Sequence, residues 1–231
     1  MSVRALRRGS IAASRVTASA PAITLNTPTL LTNGASTTSA TSYNTASISP
    51  TANARILVWV VSTGAGAATF LSGNGITYNL VATSDNSTAG YYLTLWSGTA
   101  ASPSAGQITI SHAGSRTGCA WIVQQWTADV TPTVRQFKVG ENEVGGVTSA
   151  SITLDTTPAS TSATAGGFYK VPVESSVAGD GFTALGDTGY SAPTTWIFSE
   201  YDLPPSATNP AVSTWTTASI WGGIAIEVGG T

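Results

Sequence analysis

The chain has 231 residues, 42% of them hydrophobic and only 9% charged, so it can bury one sizeable core beneath a surface far poorer in charge than the ordinary figure of about 25%. A single cysteine, Cys119, and a single histidine, His112, exclude an internal disulfide, a thiolate metal centre and a histidine-rich one. The net charge of −2 hides an asymmetry: residues 1–84 carry arginines and no acid, whereas all eleven acids follow, and a basic front on an acidic body suits an acidic partner.

That front is the first element in chain order. "MSVRALRRGSIAASR" carries Arg4, Arg7, Arg8 and Arg15 among small residues. The apolar run of about 7–15 residues that a secretory signal requires is broken by Ser10, Ser14 and Arg15, while the acid-free, Arg- and Ser-rich composition also fits an organellar transit peptide. Leu6 and Ile11 could share one short helical face. Four diluted arginines do not make a nucleic-acid patch. Residues 26–53, nearly free of charge and poor in large apolar groups, read as a connector or as an extended strand wrapping a neighbour. The expected division is therefore an arm and connector over 1–50 and a folded domain over 51–231.

From residue 54, short runs rich in β-branched and aromatic residues alternate with Gly, Pro, Asn and Ser. They predict strands over 54–63, 75–84, 90–98, 106–114, 118–127, 150–158, 166–175, 194–203 and 220–229. In "GQITISHAG", Ile108 and Ile110 alternate with polar neighbours, as on a strand with one wet face. "ILVWVV" is apolar on both faces, as in a strand covered on both sides. No stretch approaches about 18 consecutive apolar residues, so no membrane span is expected. The pattern predicts an all-β fold: an antiparallel β-sandwich of jelly-roll type with an extended N-terminal arm. "GITYNLVATSDNSTAGYYLTLWSG" (75–98) and "GFTALGDTGYSAPTTWIFSEYDLP" (181–204) both open on Gly-apolar-Thr and lead to an aromatic-rich strand. This echo points to two similar halves packed face to face.

Residues with the means for chemistry are few. His112 sits where a strand runs into a turn, and no G-x-S-x-G elbow, H-E-x-x-H helix or P-loop accompanies it. Glu141 with Glu143, and Glu200 with Asp202, are spaced to share a strand face as paired carboxylates of glycoside hydrolysis must, but both pairs adjoin turn signals and read as solvated strand ends. Asp180 and Asp187 read as turn residues with a weak likeness to calcium ligands. Cys119 in "GCAWIV" reads as a buried strand thiol. No catalytic residue, metal or cofactor is expected, and no enzyme. Trp59, Trp121 and Trp196 read as core. Tyr91, Tyr92, Trp215 and Trp221 are the candidate surface aromatics, placed to meet another subunit or to stack on sugar rings.

The succession of "ILVWVV", "GITY" (75–78), "LW" (95–96), "ITI" (108–110) and "WIVQQW" (121–126) resembles a family of jelly-roll, concanavalin-like modules of tailed-bacteriophage virion proteins. The closing "WTTASIWGGIAIEVG" is similar to that family's last strands, so the likeness covers residues 54–230. It implies a structural virion protein assembled in the host bacterial cytoplasm: a capsid decoration protein, or alternatively a tail or fibre protein contacting the host, or a carbohydrate-binding module, among which the fold does not choose. The implied partners are further copies in a homotrimer and the major capsid protein or another virion protein, with a glycan as the alternative ligand. Read this way, Arg4, Arg7, Arg8 and Arg15 belong to an anchoring arm that adds to a neighbour's sheet edge and forks its guanidinium groups onto carboxylates.

Overall fold

The structure, a computed structural model, describes residues 23–64, 66–192, 194–205 and 210–230. The expected arm, with its four arginines and the helical face around Leu6, lies outside the described residues. Among those described there is no helix. The first half contains β1 (Thr29–Ser36), β2 (Ala40–Asn44), β3 (Arg55–Thr63), β4 (Phe70–Ser72), β5 (Thr77–Asn86), β6 (Tyr91–Thr99), β7 (Thr109–Arg116) and β8 (Gly118–Trp126). The second contains β9 (Thr133–Ile152), β10 (Ala163–Val171), β11 (Val177–Ala178), β12 (Thr183–Ser191), β13 (Thr194–Asp202) and β14 (Ala211–Gly229).

All strand pairs are antiparallel, and the two halves follow one plan. The first builds a sheet in the order β1-β8-β3-β6-β5 and a smaller one, β2-β7-β4. The second builds β14-β10-β13-β12 with β9 beside β14. The long β9 and β14 each do the work of two strands: their outer segments, joined at Ile152↔Ala211, carry β11, as β7 carries β2 and β4. The turns recur as well. Ile76 N–H donates to Gly73 O at 3.1 Å and Phe182 N–H to Gly179 O at 3.0 Å, ahead of the hairpins β5–β6 and β12–β13 that carry the sequence echo. The halves stack with β5 against β9 and, in the corresponding place, β1 against β12.

Strand alternation explains the stacking. Leu57, Trp59 and Val61 of β3 face the second half, where they meet Ala163, Ala165 and Tyr169 of β10 and Ile224, Ile226 and Val228 of β14. Ile56, Val58 and Val60 point the other way, into a core closed by Tyr43, Leu71, Ile110 and Trp121. "ILVWVV" is apolar on both faces because its sheet is buried on both. A third core, inside the second half, collects Ile152, Phe168, Phe198, Trp215 and Trp221.

Three expectations change here. Residues 29–36 and 40–44 are not a connector: they pair with β8 and β7, so the sandwich begins well before residue 51. The strand expected over 150–158 ends at Ile152 and begins at Thr133; Lys138, Glu141, Glu143 and three glycines hid this edge strand. Trp215 and Trp221 do not lie at the surface, because β14 runs unbroken from Ala211 to Gly229 and turns both indoles into the third core.

Candidate functional site

The two remaining surface aromatics come together at one end of the central sheets. The β5–β6 hairpin closes through Asn86 Oδ1, which accepts the Ala89 N–H at 3.1 Å, and through Gly90, whose φ of +72° suits a residue without Cβ. Gly90 O in turn accepts the Gly64 N–H at 3.0 Å, tying this hairpin to the loop after β3. Tyr91 and Tyr92 then leave on opposite faces of β6. Tyr91 stacks on Tyr169 of the second half, with ring centroids 5.9 Å apart and planes inclined by 22°. With Thr63, Gly64, Ser87 and Thr117, the two tyrosines line an open cleft of about 460 Å³.

The chemistry of that cleft is hydroxyl, backbone and aromatic. Among the described residues no carboxylate, histidine or thiol lines it, and what does line it can stack on and hydrogen-bond a neutral ligand. Tyr169, beneath it, stays protonated: burial pushes its phenol up, and the charges of Glu141 and Glu143 add to the rise.

The other candidates are dispersed. His112 is buried, neither ring nitrogen has a hydrogen-bond partner, and Tyr43 meets it edge-on at 5.7 Å. Burial, with Arg116 adding, lowers its pKa to about 4, so the ring is neutral at pH 7. Glu141 and Glu143 are exposed, as expected. Glu200 and Asp202 are not solvated ends; both are buried on β13. Glu200 accepts the Gly179 N–H at 3.1 Å and the Val212 N–H at 2.7 Å, clamping the turn ahead of β12 to the start of β14. Burial raises its carboxyl to about 8, against the pull of those two bonds. Asp180 and Asp187 are exposed, and no group of three His, Cys, Asp or Glu among the described residues could hold a metal. Cys119 is fully buried, and burial pushes its thiol up. Trp215 donates its indole N–H to Val147 O at 3.0 Å, and Trp221 packs on Phe168 with centroids 6.5 Å apart.

A charged corner in the second half escaped the sequence reading. Lys170 is only 2% exposed; its Nζ lies 3.8 Å from Glu174 Oε1 and 5.8 Å from the centroid of the Trp215 ring. Burial lowers the lysine pKa and Glu174 opposes the shift. Glu174 is held down to about 2, chiefly by the Thr217 hydroxyl, with the Thr216 and Thr217 N–H groups adding and slight burial opposing. A lysine inside the apolar run "GGFYKV" was the available signal, because lysine is almost never fully buried unless paired.

No known protein family, curated protein or solved structure matches the chain.

Proposed function

We propose that this chain is a structural, non-catalytic protein of a tailed-bacteriophage particle, a capsid decoration protein built from two jelly rolls stacked through their larger sheets. The jelly-roll reading is supported in each half by strand order, with the first strand beside the last; in the first half a smaller sheet opposes the larger, and in the second the outer segments of β9 and β14, with β11, continue the same sheet. The virion reading rests on the resemblance of residues 54–230.

The observation that carries assembly is one flank of the stack. Ser84 Oγ donates to Gly140 O at 3.4 Å and Thr88 Oγ1 to Glu143 at 3.3 Å, so β5 and β9 run side by side in one direction. Among the described residues neither strand has a further pairing partner on its outer edge, and Leu80, Phe137 and Val144 are exposed there, Val144 to 96%. The pseudo-equivalent flank of β1 and β12 exposes no large apolar side chain among the described residues. Paired open edges decorated with apolar groups are costly in a monomer and fit a surface that is covered in an assembly.

The test is add-back to purified particles lacking the protein. The full chain is expected to bind in many copies. Removal of residues 1–22 should abolish binding and leave the domain folded, since residues from Leu25 onward already build three cores among the described residues. Phe137→Lys should also weaken binding without lowering Tm. Full binding by both variants would sink the reading.

The cleft supports a second reading, a glycan-binding surface. Tyr92→Ala is the informative change, because Tyr91 also packs on Tyr169 and its loss would destabilise the fold. We expect Tyr92→Ala to reduce glycan binding at unchanged Tm. Absence of any signal for the full chain on a broad glycan array would remove this reading.

A further inference from the structure

We infer that the first half carries a binding site for an exogenous carboxylate, centred on Arg116 at the end of β7. Arg116 is 3% exposed. A guanidinium brings a positive charge into the interior, and a buried charge is costly unless it is paired. None of the ion pairs among the described residues includes it. Its NH1 donates to the carbonyl of the adjacent Ser115 at 3.3 Å, and its Nε has no partner. The titratable groups it acts on, Tyr43 and His112, are both neutral at pH 7, so neither compensates the charge.

The duplication shows what kind of group is wanted. Pairing of β2 with β7 skips between Ser42↔Ser111 and Ala40↔Arg116, and pairing of β9 with β14 skips between Ser149↔Thr214 and Val147↔Ser219. His112 thus corresponds to Trp215, and Arg116 to Ser219. In the second half the buried cation of this corner is Lys170, and the loop after β10 supplies its carboxylate, Glu174. In the first half the loop after β3 reads "GAGAAT" (64–69) and holds no acid. The corner repeats the cation without repeating its counter-charge.

Access is provided by glycine. A Cβ at Gly66 would come within 3.3 Å of Arg116 NH2 and 4.0 Å of its Cζ, and one at Gly114 within 3.9 Å of NH1; among the described residues, chain neighbours aside, no residue other than Arg116 comes within 4 Å of either position. At these two positions the guanidinium faces backbone that carries no side chain. The Tyr91–Tyr92 cleft opens beside the same loop, at Gly64 and Thr117. A guanidinium fork suits a carboxylate bidentately. The carboxylate could belong to an acidic sugar or to a simple organic acid.

The test is thermal unfolding of the full chain in sodium acetate and in sodium glucuronate against sodium chloride at equal ionic strength. A saturable Tm rise of roughly 5–10 °C is expected near 100 times Kd, and it should vanish in Arg116→Gln. A larger response to glucuronate assigns a saccharide source, and an equal response assigns a simple carboxylate. Because Arg116→Gln could unfold the domain, the wild-type Arg116 Nε–Hε resonance, assigned through Arg116→Lys, is followed in the same titrations and should shift saturably. No rise over chloride, a rise retained in Arg116→Gln, or an unmoved resonance would overturn the site.

Discussion

Trp59→Ala is expected to destabilise the protein by about 3–5 kcal/mol in urea unfolding. Trp59 is fully buried at the centre of the stack, where its ring lies over the backbone of β10: a Cβ at Gly167 would fall 2.2 Å from Cε3 of the indole. Gly167 has no side chain that could relax into the space, so the cavity stays open and the cost falls at the high end of what loss of a buried aromatic brings. Gly167→Ala tests the same contact from the other half. Its methyl group overlaps the indole and should cost about 1–3 kcal/mol or more. In the double variant the methyl enters the space that the indole left, so the combined loss should be well below the sum of the two. Additive losses would mean that the two sheets do not meet at this contact, and the face-to-face stacking would be wrong.

A pH dependence set by Glu200 is the second large effect. Its carboxyl is raised from the ordinary 4.5 to about 8, first by burial, so the folded state holds this proton more tightly than the unfolded chain. The stabilisation is fully present below pH 4.5 and is lost as the pH rises through about 8. Between those limits the contribution falls by up to about 1.4 kcal/mol per pH unit. His112, lowered from 6.5 to about 4, has the opposite sign: its contribution is lost as the pH falls through that window. Above pH 6.5 its contribution flattens within about one pH unit and is common to wild type and variant, so the difference between the two isolates Glu200. Glu200→Gln keeps one acceptor oxygen and leaves the N–H of either Gly179 or Val212 without its acceptor, a cost of about 1–3 kcal/mol. Urea unfolding of both proteins from pH 6.5 to 8 should show a slope in the wild type that the variant lacks. An identical slope in both would remove Glu200 as its source.

The candidate site was legible only in part, for reasons that differ by residue. Tyr91 and Tyr92 were readable because neighbours on a strand must point to opposite faces, so one had to leave the core. Trp215 and Trp221 misled because a strand end in sequence is a strand end in space only where the strand stops, and β14 continues through both. Arg116 stands in "GSRTG" and Glu200 in "SEYDLPP", both polar surroundings that suggest solvent. What buries them is packing against residues far away in the chain, such as Gly66 above Arg116.

The same division runs through the fold. Period-two alternation, β-branched composition and turn residues determined by themselves that the chain is all-β and antiparallel and that "ILVWVV" is covered on both faces, because these are set by residues within about ten positions of one another, and the echo of 75–98 in 181–204 is visible because each copy carries its own local pattern. Tertiary structure alone decided that residues 29–44 belong to the sandwich, since Thr- and Ser-rich strands bury little by themselves and are held by the backbone of β8 and β7. It alone decided that the halves exchange flanks, that one flank leaves Leu80 and Phe137 uncovered, and that Lys170 meets a carboxylate while Arg116 does not. Burial and charge pairing depend on which surfaces meet across a hundred residues of chain, and that is a property of packing rather than of local pattern.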